Sequence, residues 1–145
     1  MRRIFYFFIL AFSAFAFSSC QKTDTVNNER NIEGTWSITG IRSDRSYDFN
    51  GDGYTETDIY NTYSSCGKDI VVVFQTGGYG QMRQGCNANW QNTNWQLNNN
   101  TLSINLPDDE LNLQLQQLDD YTIRGTDQVQ INGNYFNITY TFQRR

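Results

Sequence analysis

With 145 residues, ten Phe, nine Tyr, three Trp and a single proline, the chain has room for one domain, and its composition favours sheet over helix. Eleven basic and 15 acidic residues give a net charge of −4, so recognition of nucleic-acid phosphates by clustered cations is excluded. Histidine is absent, which removes the commonest general base and the commonest zinc ligand together.

The amino terminus reads as an export signal. Met1-Arg2-Arg3 is a positive opening, and the apolar run from Ile4 to Phe17 falls short of the about 20 residues that a spanning helix needs. The run ends at Phe17-Ser18-Ser19-Cys20, which resembles the lipobox of bacterial lipoproteins. That resemblance implies that residues 1–19 are cleaved as a lipoprotein signal peptide and that Cys20, acylated with palmitate-type chains, becomes the mature N-terminus. An ordinary signal peptide with an incidental cysteine is the alternative. Gln21 stands where an Asp would hold such a protein in the inner membrane, so the expectation is an outer-membrane lipoprotein, at its periplasmic face or the cell surface. Residues 20–30 are polar and without apolar period, a flexible tether. The folded domain is expected over residues 31–145.

That domain opens at Asn31 to Ser43, where Gly34-Thr35-Trp36 leads into a period-two pattern: Trp36, Ile38 and Gly40 on one face, Ser37 and Thr39 on the other. Trp36 is expected in the core. Lys68 to Gln75 is the most β-branched run, and Thr76-Gly77-Gly78 supplies a tight turn into Tyr79 to Gly85. Thr93 to Leu97 and Thr101 to Leu106 make a hairpin across Asn98-Asn99-Asn100. Pro107-Asp108-Asp109-Glu110 breaks the sheet before the alternating Leu111, Leu113 and Leu115. Leu118-Asp119-Asp120 turns the chain into Tyr121 to Ile131, with Tyr121, Ile123, Gly125, Val129 and Ile131 on one parity. Asn132-Gly133 then marks a hairpin into the last strand, which carries Phe136, Ile138, Tyr140 and Phe142 on one face.

Eight strands in this order predict an all-β, up-and-down antiparallel barrel, whose closure removes exposed edges and whose interior can hold one small ligand. Three stretches strengthen that expectation. Gly34-x-Trp36 looks like the opening motif of lipocalins, Leu118-Asp119-Asp120-Tyr121 is similar to their second motif, and Arg144 stands where their third motif places an Arg over the Trp. The resemblance covers roughly residues 31–145. With the lipobox and tether it resembles the lipocalin-like lipoproteins of Gram-negative bacteria.

Two features lie off the strands. Cys66 and Cys86 form an even pair in an oxidising compartment, and a disulfide between them would stabilise the fold by about 3 kcal/mol through the unfolded chain's lost entropy. Free thiols, one of them a nucleophile, are the rival reading, with no histidine to activate either. The connection from Asp44 to Gly67 carries Asp48-Phe49-Asn50-Gly51-Asp52-Gly53, the opening spacing of an EF-hand-type calcium loop. Its candidate ligands are Asp48, Asn50 and Asp52, with Glu56 and Asp58 standing in for the closing bidentate Glu, whose position is Ile59. A self-capped Asx-rich turn is the other reading.

The resulting expectation is a membrane-tethered, monomeric, non-catalytic binding module for a small apolar or amphipathic ligand, with no nucleic-acid partner. Phe74, Trp95, Ile104, Ile123, Phe136 and Tyr140 would line its barrel. The alternative is a structural or interaction lipoprotein whose barrel is filled by its own aromatics and whose loops bind partners. A hydrolase would draw its acid and base from Asp108, Asp109 and Glu110 or from Asp119 and Asp120, yet both sets fall in predicted turns as solvated charges. Trp90, in an Asn-rich segment, is the tryptophan expected at the surface.

Overall fold

The computed structural model describes residues 32–106 and 109–145. The expected signal peptide, Cys20 and the tether lie outside the described residues, as do Pro107 and Asp108.

Among the described residues there are nine strands: β1 (Gly34–Tyr47), β2 (Glu56–Asp58), β3 (Ile70–Phe74), β4 (Tyr79–Gln84), β5 (Gln91–Asn98), β6 (Thr101–Asn105), β7 (Glu110–Leu118), β8 (Thr122–Ile131) and β9 (Asn134–Arg144). From β3 onward each strand is antiparallel to the next, and β1 pairs with both β3 and β9. The sheet therefore closes into an eight-stranded antiparallel barrel of the expected order. Closure depends on the length of β1: its residues 34–37 meet β3 while residues 36–43 meet β9. The β8–β9 hairpin turns at Asn132 and Gly133, both left-handed (φ 49° and 79°), as a two-residue turn between twisted strands requires.

β2 is an addition to the barrel. It pairs with β1 at Arg42 and Tyr47 and leads into a one-turn helix, α1 (Ile59–Thr62), capped by the Asp58 carboxylate accepting from the Asn61 N–H. The first connection, expected as a loop from Asp44, thus carries structure of its own.

Two expectations of facing are corrected. Gly40 does not share the inward face of Trp36 and Ile38. Pairing with β9 shifts by one residue between Ile38 and Gly40, so Ile41 and Ser43 are the next buried residues and Gly40 packs beside Thr141. A β-bulge inserts one residue and reverses every later facing. Tyr121 does not open the seventh barrel strand either; it precedes β8 and is 76% exposed. There the Asp119 carboxylate accepts from the Tyr121 and Thr122 N–H groups at 2.9 and 2.8 Å, forming an Asx turn. Those bonds, after a larger contribution from the Gln117 amide, hold the Asp119 pKa below its ordinary value.

Candidate functional site

The barrel's two ends differ. At the end where β1 begins and β9 finishes, the interior is filled by Trp36, Phe74, Leu102, Leu113, Ile123 and Phe142, all essentially inaccessible. The buried polar atoms there have partners: the Trp36 indole donates to the Ile32 carbonyl at 2.7 Å, and the Trp95 indole donates to the carbonyls of Gln75 and Tyr79 at 3.0 and 2.8 Å. Arg144 seals this end. Its guanidinium lies 4.3 Å from the centre of the Trp36 ring, donates to the Glu33 carbonyl at 2.8 Å and reaches the Asp120 carbonyl from Nε. Gly34 belongs to the same arrangement: its φ is +134°, and a Cβ there would collide with the Arg144 guanidinium.

The opposite end holds an apolar pocket of about 260 Å³. Its walls come from inward residues near the upper ends of the strands, among them Ile41, Ile70, Met82, Ile104, Leu111 and Ile138. The first connection adds Phe49, Ile59 and Tyr63, so β2 and α1 bring part of the lining into place. Asp109, Glu110, Asp127 and Tyr140 supply its polar groups together with Gln84. Burial, with the charge of Asp127 next, pushes the Tyr140 hydroxyl up to about 12, so at neutral pH it is an uncharged phenol. A larger groove of about 530 Å³ lies along Tyr79, Asn94, Gln96 and Ser103, but its polar lining offers little apolar surface to cover.

The six residues expected to line a ligand site divide between these regions. Ile104 and Tyr140 line the pocket. Phe74 and Trp95 pack edge to face with ring centres 5.5 Å apart away from it, and Ile123 is buried opposite Phe142 in the sealed end. Phe136 joins Tyr47 and Phe49 at 5.1 and 5.5 Å, with the Arg45 guanidinium 4.7 Å from its ring centre. Sequence reasoning missed Asp127, although it shares the odd parity of Ile123, Gly125 and Val129; an acid at such a position was the available signal.

Of the candidate calcium ligands, Asp48, Asp52 and Glu56 each bring an oxygen within 4.8 Å of the others. The set fits a cation only in part. Asp48 accepts from the N–H groups of Gly51, Asp52 and Gly53, Asp52 accepts from Tyr54 N–H and from the Asn50 amide, and Glu56 accepts from Phe49 N–H. Asp58 is turned away into an ion pair with Arg42 at 2.9 Å and the cap of α1. These are the hydrogen bonds of a self-capped Asx turn, which a cation would have to displace.

Cys66 and Cys86 are joined in a disulfide, Cα atoms 4.9 Å apart, tying the end of the first connection to the loop after β4. In that loop Trp90 is 46% exposed, with the Arg83 guanidinium 5.4 Å from its ring centre. Among the carboxylates weighed for acid–base chemistry, Asp119 and Asp120 lie in the β7–β8 turn at the sealed end, while Asp109 and Glu110 sit exposed at the pocket. Compared with family models, with curated proteins and with solved structures, the chain matches none.

Proposed function

We propose that the protein is a membrane-tethered, lipocalin-like binding module that holds a small apolar or amphipathic ligand without chemically changing it. The carrying observation is the asymmetry of the barrel, packed shut by Trp36, Phe142 and Arg144 at one end and lined by an apolar pocket at the other. The lipocalin resemblance gains support from the meeting of its three stretches: Gly34-x-Trp36, Asp120 and Arg144 come together at the sealed end. A barrel filled throughout by its own aromatics is the competing reading, and the aromatic packing around Phe74 and Trp95 favours it for that end alone.

N-phenyl-1-naphthylamine, neutral at pH 7 and fluorescent in apolar surroundings, tests the pocket. Transfer of its rings from water to the pocket walls supports saturable binding in roughly the micromolar range. Ile104→Trp fills the pocket and removes the signal; emission that never saturates with the unaltered protein defeats the reading. Tethering is a separate claim, resting on the lipobox resemblance at Cys20. Cys20→Ala moves the protein from the membrane pellet to the soluble fraction, and unchanged fractionation together with an unacylated mass for the unaltered protein rejects the anchor.

A further inference from the structure

We infer that the pocket selects amphiphiles with a cationic head, an alkyl or aromatic tail lying among the apolar walls and an ammonium-type group held at the acidic rim. This inference rests on the binding reading above and adds the ligand's charge to it.

Three carboxylate residues, Asp109, Glu110 and Asp127, line the pocket, and among the described residues no lysine or arginine does. Among the described residues, the cations near this end are engaged elsewhere. Arg42 pairs with Asp58 at 2.9 Å and Arg83 with Asp69 at 3.0 Å; Lys68 donates to Asn61 at 3.2 Å, and Arg45 stacks on Phe136. Asp127 is the most informative of the three acids. It occupies an inward parity position of β8 between Gly125 and Val129, half-buried at the pocket and paired with no cation there among the described residues. One of its oxygens accepts from the Asn112 N–H at 3.1 Å, which fixes the carboxylate beside the start of β7. A cationic head would supply the counter-charge that the three rim carboxylates have in no lining residue, and the aromatic rings of Tyr63 and Tyr140 belong to the same lining. Tyr140, kept as a neutral phenol, adds no charge of its own at neutral pH. A fatty-acid carboxylate would meet the same rim with like charge. Solvated rim carboxylates without a ligand role are the plain alternative, and they predict no discrimination among heads.

Calorimetric titration of the purified full chain at pH 7 with octylammonium, octanamide and octanoate separates these readings, since the three share a tail and differ in charge. Octylammonium is expected to bind about tenfold more tightly than octanamide, with octanoate weakest and the preference shrinking as salt rises. Asp127→Asn combined with Glu110→Gln, an isosteric pair checked for an unchanged melting transition, brings the first two affinities within about twofold of each other. Should octanamide bind as tightly as octylammonium, or octanoate bind best, the charge inference fails and the pocket reading stands. If none of the three binds, both fail.

Discussion

Trp36→Ala lowers the unfolding free energy by about 4 kcal/mol, the range found when a large buried aromatic leaves a cavity. Trp36 is wholly inaccessible, and its loss removes three things together: the ring's packing, the indole hydrogen bond to the Ile32 carbonyl, and the surface on which Arg144 lies. The Arg144 guanidinium would then border a void while still bonded to the carbonyls of Glu33 and Asp120. Little relaxation can refill the space, because β1 is held there by β3 on one side and β9 on the other. Urea denaturation followed by far-ultraviolet circular dichroism measures the change. A loss below about 1 kcal/mol, no more than an average point substitution costs, would show that the sealed end does not carry the barrel's stability.

Alkaline titration is the second large effect. Tyr140 keeps its proton in the folded protein up to about 12, against an ordinary value of 10.0. Between those two pH values the native state holds a proton that the unfolded chain has lost, so unfolding free energy falls as pH rises. The contribution is whole below pH 10.0 and is gone above about 12. A shift of this size corresponds to about 3 kcal/mol. Eight other tyrosines also titrate, so the measurement is a difference. Tyr140→Phe and the unaltered chain are denatured side by side at several pH values, and the gap between their unfolding free energies changes across the window. A gap independent of pH would mean that burial and Asp127 do not hold the phenol neutral.

How much of this was readable beforehand varies by residue. The strand runs, the Asn132-Gly133 turn, the barrel order and the Cys66–Cys86 pair were all legible. The pocket was legible only in part. Ile104 and Tyr140 were placed in the lining, whereas Phe74, Trp95 and Ile123 have the predicted inward facing at the wrong height. Parity assigns a side chain to the inside of a barrel and says nothing of its position along the axis. That position follows from the stagger between strands, a property of pairings far apart in sequence. Residues Phe49, Ile59 and Tyr63 were missed for a similar reason: they lie in the first connection, outside any barrel strand, and reach the pocket through the pairing of β2 with β1.

Short-range chemistry accounts for what the chain alone reveals. Alternating facing, β-branched runs and left-handed Asn-Gly turns act within a few residues, so Trp36 could be assigned to the core and the hairpins to their places. The bulge that reverses β1 after Ile38 depends on its partner β9, roughly a hundred residues away in sequence, as does closure of the barrel. The gathering of Asp109, Glu110 and Asp127 at one mouth arises in the same way, because β7 is set beside β8 by pairing of residues 114–118 with residues 123–126, beyond which the Asp127 carboxylate reaches the Asn112 N–H. Local pattern therefore specified the strands and which way most of them face; strand stagger and closure made one end a sealed core and the other an acid-rimmed pocket.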